Sequence, residues 1–389
     1  MTADAVLASR LRNLRSSAIR DLLALTRRPE VVSLAGGIPD PALLPRARVA
    51  EAIDRVLADA QSLQYGETEG DPRLRELVAA RHGCEPARVL ITHGAQQALD
   101  ILARGLLEPG STVVVEAPSY LGALQIFALA EANVHGVDVD DDGMNIDALA
   151  DALASGLRPA LVYVVANFSN PSGATLSAVR RRQLAALADR YGFWIVEDDP
   201  YGALRYHGDP LDSIATYSER VIRLGTTSKV LAPGGRVGWL IAESSLVRHL
   251  VRIKQATDLH SSALSQALVV DLLGDDAWFD AHVETLRRAY GERAEVLVDA
   301  IEDHFGDRAT VRRPAGGMFT WVSVPGVDVE ARLPDAIEAG VAYVPGRAFF
   351  GDGRGGEQMR CSFATGSPDQ LREAVRRLGS ALLHDGPIR

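Results

Sequence analysis

The chain has 389 residues, 47% hydrophobic and 24% charged, with a formal net charge of −10 at pH 7. That is the profile of a globular protein with a large core and room for two domains, and the acidic balance argues against nucleic acid, whose phosphates need a basic face. The two cysteines, Cys84 and Cys361, form no CxxC, and no apolar run is long enough for a membrane span, so the sequence reads as cytoplasmic.

Residues 1–45 open without an apolar leader core; they hold a helical pattern and an extended exit, VVSLAGGIPDP. This segment is expected to pack with a small C-terminal domain. From about residue 87, short apolar runs alternate with amphipathic helical stretches. ARVLIT, STVVVEAP, LVYVVAN, FWIVEDD, VIRLG and VGWLIA read as buried strands; AQQALDILARGLL and SAVRRRQLAALADRYG read as helices. The fold class is therefore α/β, with a mostly parallel sheet covered on both faces over residues 46–280. After about residue 280 a long helical stretch leads into GGMFTWVSVP, VAYVPG, MRCSFAT and a closing helix, the pattern of a smaller α+β domain over 281–389.

In such sheets ligands gather beyond the carboxyl ends of the strands, so the residues there are the candidates. THGAQQALD follows the first strand. Its Gly94 and Ala95 let backbone approach closely, and the helix it opens presents amides to an anion. Tyr120, in EAPSY, offers a ring for stacking. Asn170, in NPSG, offers an amide. Glu197, Asp198 and Asp199 end the fourth strand, and Tyr201 follows. The nine histidines show no ligand spacing, so no metal site is expected. A buried acid there needs a cationic or proton-donating partner.

The last strand end reads GTTSKVLAPGGRVGW. Lys229 is one of only two lysines, with Lys254, among 41 basic residues. A desolvated lysine can lose its proton and attack carbonyls, which arginine cannot do. Thr226, Ser228 and Arg236 around it suit a phosphate. An amine, a phosphate cup, a stacking ring, an acid and amide or hydroxyl donors are together what pyridoxal 5′-phosphate requires.

The combination LQYGxTEG, GAQQALD, EAPSY, NPSG, EDDPYG, SK…PGGRVGW and GGMF resembles the fold-type I, class I/II aminotransferases, over nearly the whole chain. The nearest branch holds the 2-aminoadipate aminotransferases and the enzyme-like domain of MocR-type regulators. The resemblance implies a seven-stranded large-domain sheet and a homodimer with shared active sites. It makes Lys229 the Schiff-base lysine, Asp198 the partner of the pyridine nitrogen, and Tyr201 and Asn170 the partners of the ring's 3′ oxygen. Tyr120 would stack on the ring. Gly94, Ala95, Gln96, Thr226, Ser228 and Arg236 would cup the phosphate, and Tyr65 would reach the neighbouring subunit's phosphate. Arg360 would grip the substrate α-carboxylate, and Arg20 would read acidic side chains. Ile38 and Leu43 would instead suit aliphatic or aromatic ones.

Three positions depart from the family pattern: His93 replaces a usual serine or threonine, Glu67 a usual proline or serine, and Arg347 holds a variable place near the cleft. The activity implied is ping-pong transfer of an amino group from an L-amino acid to a 2-oxo acid, 2-oxoglutarate above all. Two rivals stand beside it. One is other carbanion chemistry on the same coenzyme, as in cyclases, oxidases, eliminases or decarboxylases. The other is an effector-sensing regulator domain, disfavoured because the pattern begins within the first ~20 residues and leaves no room for a DNA-binding domain ahead of it.

Overall fold

The computed structural model describes residues 8–12 and 30–383. After a two-residue strand β1 (Val32–Ser33) come β2 (Val89–Thr92), β3 (Thr112–Ala117), β4 (Asn133–Asp140), β5 (Gly143–Met144), β6 (Leu161–Val165), β7 (Trp194–Asp198), β8 (Val221–Thr226) and β9 (Gly238–Ile241). Strands β2 to β9 make one sheet in the spatial order β2-β9-β8-β7-β6-β3-β4-β5. The pairs β4–β3, β3–β6, β6–β7 and β7–β8 are parallel, while β9 runs antiparallel to both its neighbours. The seven expected strands are present; the two-residue β5 folds back on β4 and adds a short eighth.

Apolar residues on both faces explain why β3 and β6 sit mid-sheet. Successive side chains point to opposite faces. Val113, Val115, Tyr163 and Val165 enter one core cluster, and Val114, Val162 and Val164 enter another. Strand β4 differs: it is largely exposed along its length and lacks an apolar signature.

The C-terminal part holds β10 (Thr310–Val311), β11 (Phe319–Ser323), β12 (Val341–Ala342), β13 (Val344–Pro345) and β14 (Gln358–Ser362). Four of these form an antiparallel sheet ordered β10-β11-β14-β13, and β12 pairs in parallel with β1. That pairing ties residues 32–33 to the C-terminal part. The expected division between residues 280 and 281 falls inside the helix Asp276–Phe305, which runs unbroken across it.

Strands β2, β7 and β8 end at Thr92, Asp198 and Thr226 along one edge of the sheet. From the other side, β14 presents Arg360 toward the same edge.

Candidate active site

Between this edge and the C-terminal part lies a cavity of about 300 Å³. Of the described residues expected to hold coenzyme or α-carboxylate, all but Gly94 and Tyr65 line it. Gly94 lies just beneath it, Tyr65 is exposed outside, and Arg20 falls outside the described residues.

Strand alternation sorts the three acids. Glu197 points to the far face, where Ile214 N–H and the Ser213 hydroxyl donate to it and Arg181 lies 3.7 Å away. Asp199 accepts from Asn167 and from the Gly202 amide. Only Asp198 reaches the cavity. Its Oδ2 accepts the Tyr163 hydroxyl at 2.7 Å, while its Oδ1 is buried with no partner. Burial pushes its carboxyl up to about 7, even against the Tyr163 hydrogen bond. An unpaired buried oxygen is costly, and a protonated ring nitrogen in the cavity would satisfy it. On this test the residues present fit pyridoxal phosphate.

Lys229 follows β8, and its Nζ donates to the Gly37 carbonyl at 2.8 Å. Burial, aided by Arg360 and Arg236, brings its ammonium down to about 8. The amine is thus poised to exchange a proton near neutral pH. Nζ also lies 5.9 Å from the centre of the Tyr201 ring. Burial raises the Tyr201 hydroxyl well above its ordinary range, so it is a neutral donor. The Asn170 side chain accepts from Arg360 through Oδ1 at 2.8 Å and lines the cavity beside Tyr201.

Arg360 is only 1% exposed. Its Nη2 donates to the Ala35 carbonyl at 2.6 Å, and Phe319 lies under the guanidinium at 4.3 Å. Its Nε has no partner. Burial lowers it to about 10, which leaves it charged at neutral pH.

The phosphate end is built by close packing. Gly94 has φ 76°, and a Cβ there would come within 2.8 Å of the Arg236 guanidinium, so glycine is required. Gly94 starts the helix Ala95–Leu106 without a side-chain cap. The amides of Gln97 and Ala98 turn back to its carbonyl, whereas those of Ala95 and Gln96 have no partner among the described residues. Thr226 donates to the Ser228 hydroxyl at 2.9 Å, and Arg236 Nη1 approaches the same hydroxyl at 3.5 Å. This is a helix N-terminus backed by a cation and hydroxyls, an anion site. The Gln96 side chain is engaged elsewhere: its Oε1 accepts the Tyr120 hydroxyl at 3.1 Å and its Nε2 donates to the Gly122 carbonyl. It orients the Tyr120 ring and leaves only its backbone amide for a phosphate.

A family model described as aminotransferase class I and II matches residues 29–378. The chain belongs to the class I and II aminotransferases. It is 40% identical to the 2-aminoadipate transaminase of Thermus thermophilus, covering 95% of this chain and 94% of that one. It is 39% identical to aromatic-amino-acid aminotransferase 1 of Thermococcus litoralis, over 95% of this chain and 92% of the relative. Among solved structures, an α-aminoadipate aminotransferase of Thermus thermophilus, complexed with N-(5′-phosphopyridoxyl)-L-leucine, superposes with a TM-score of 0.92. The two share 37% identity over 98% of each chain. This aminotransferase therefore moves an amino group between an amino acid and a 2-oxo acid, with pyridoxal phosphate as coenzyme.

Three contributors had no sequence signal. Tyr163 lies mid-strand in an apolar run and reads as core. Ala35 and Gly37 act through backbone carbonyls, which no side-chain pattern reports. Arg347 turns away from the cleft: it is paired with Asp328 at 2.7 Å and Glu330 at 3.1 Å and does not line the cavity. Glu67 is exposed in its loop.

Proposed function

We propose that Lys229, Asp198 and Arg360 carry the transamination in this cavity. Pyridoxal phosphate, when bound, supplies an electron sink conjugated with the substrate's α-carbon. The observation that carries the assignment is the unpaired Asp198 Oδ1, buried in the same cavity as a lysine lowered to about 8. Asp198 Oδ1 would accept a hydrogen bond from the protonated ring nitrogen, and its negative charge would keep that proton on the nitrogen. Lys229 would hold the coenzyme through Nζ, and the same Nζ, when free, would take the proton from the substrate's α-carbon. Arg360 grips the α-carboxylate and so aims that proton at Nζ. Tyr201 and Asn170 would hold the ring oxygen, and Tyr120 would stack on the ring. The amides of Ala95 and Gln96 with Thr226, Ser228 and Arg236 hold the phosphate, over the close approach that Gly94 permits.

One site serves both half-reactions, so the kinetics are ping-pong, and the acceptor assigned is 2-oxoglutarate. One observation and one likeness bear on substrate range. Ile38 lines the cavity and is 52% exposed, which gives an apolar wall for aromatic or aliphatic side chains. Arg20 is assigned to dicarboxylates, in keeping with the name of the 2-aminoadipate relative.

The working unit proposed is a cytoplasmic homodimer. Tyr65 and Leu63 are 77% and 68% exposed, which supports a partner subunit covering them and a Tyr65 that serves the partner's phosphate. Among the described residues, no helix is long and apolar enough to cross a membrane.

The test is a panel of aromatic, aliphatic and acidic amino acids mixed with 2-oxoglutarate, following coenzyme absorbance and glutamate. Conversion of the coenzyme to its amine form, with one glutamate per 2-oxo acid released, is expected. Release of ammonia or carbon dioxide in place of glutamate would assign the site to another carbanion chemistry.

A further inference from the structure

We propose that Lys254, Asp258 and His93 form a charged brace beneath the phosphate cup, which makes Lys254 a positioning residue for the coenzyme phosphate. Lys254, the chain's other lysine, is 0% exposed. Its Nζ donates to Asp258 Oδ1 at 2.8 Å and Oδ2 at 3.0 Å. Asp258 also accepts Gln97 Nε2 at 2.7 Å, and His93 Nε2 lies 3.3 Å from it. Gln97 Oε1 in turn accepts the His93 amide at 2.8 Å, and the His93 carbonyl accepts Arg236 Nη2 at 3.1 Å. The contacts therefore run without a break from a buried ammonium, through the first turn of the helix Ala95–Leu106, to the guanidinium of the phosphate cup.

That cup needs support. Arg236 sits at φ 51°, ψ 44°, left-handed values that a non-glycine residue holds only when its surroundings impose them. The cup also gathers positive charge, from Arg236 and the helix N-terminus, and the Lys254–Asp258 pair, neutral overall, supports it without adding to that charge. Burial works against the Asp258 charge, but the Lys254 and Gln97 hydrogen bonds hold its carboxyl below the usual carboxylate range. A serine or threonine at position 93, the usual residue of the family, reaches less far than imidazole Nε2, so the Asp258 contact belongs to the histidine. A compact ammonium can sit on both carboxylate oxygens in a sealed space, where arginine's longer planar fork is a poor substitute. This accounts for the survival of the second lysine in a chain that otherwise uses arginine.

The test is the equilibrium loss of pyridoxal phosphate from the holoenzyme on dialysis, together with the ³¹P resonance of the bound coenzyme. Asp258→Asn, His93→Ser and Lys254→Met should each raise the dissociation constant about tenfold and move the resonance, and Lys254→Arg should not restore either. The double variant Asp258→Asn/His93→Ser should bind no more weakly than Asp258→Asn alone. If Lys254→Met does not fold, Asp258→Asn and His93→Ser carry the test. Folded variants with unchanged affinity and resonance would overturn the brace, as would a lowered Tm with neither changed, or fully additive effects in the double variant.

Discussion

Two buried charge clusters sit back to back across β7, and they are built on opposite rules. On the far face, Glu197 takes a backbone amide and a hydroxyl, with Arg181 beside it. Arg181, 1% exposed, donates to the carbonyls of Leu176, Asp212 and Ala166 and to Asn167 Oδ1. Nothing there is left over. On the cavity face, Asp198 keeps one oxygen unpaired, and Arg360, equally buried, keeps an unpaired Nε. The two lysines follow the same division: Lys254 is matched by a carboxylate, whereas Lys229 meets only a carbonyl. Buried polar groups are ordinarily paired. A cluster that is fully paired holds the protein's own groups in place, and one left short of partners is reserved for direct contact with a ligand.

The largest effect that would sharpen this contrast comes from Lys229→Ala. Loss of the attaching amine and proton carrier should lower turnover by about 10⁴-fold or more, and borohydride should leave no coenzyme fixed at position 229. Near-normal turnover by this variant would break the assignment. Next is Asp198→Asn. Coenzyme should still attach, but removal of the α-proton, read by the deuterium isotope effect at the substrate's α-carbon, should slow by about 10²- to 10⁴-fold.

Paired substitutions of the two arginines come third. Arg360→Gln should raise KM for amino acids and cut kcat/KM by about 10²-fold, with a smaller loss of stability than Arg181→Met, because it removes a ligand contact as well as the bonds to Ala35 and Asn170. Arg181→Met should do the reverse. It strands Glu197 and should cost about 3–5 kcal/mol of stability by denaturant titration while folded protein retains its kcat. If both variants lost stability equally and activity equally, the two faces would not differ as argued.

The smallest effect is a pH dependence. Attachment of coenzyme to the stripped protein needs the neutral Lys229 amine. Burial moves that group from 10.5 to about 8, so the attachment rate should rise with pH through about 8 and then level off. An inflection near 10.5 would mean that the amine is solvated.

Much of the architecture was legible from residue order. Six strands announced themselves as runs of valine, isoleucine and leucine because both their faces are buried. Strand β4 did not, because a strand exposed along most of its length needs no apolar run, and a β5 of two residues is too short for any periodicity. Most candidate site residues could be named because they follow strand ends, where an α/β sheet leaves its cleft. Their partners could not. The Tyr163 hydroxyl lies 35 residues upstream of Asp198, and the Gly37 carbonyl lies 192 residues from Lys229.

The sequence by itself determined the chemistry on offer: a rare amine at a strand end among many arginines, acids at another strand end, hydroxyls beside a guanidinium, and glycine where backbone must come close. Only the tertiary structure decided which of those groups are paired. Pairing depends on contacts between distant segments and on burial, and these two set whether a charge is neutralised within the protein or left to meet a ligand.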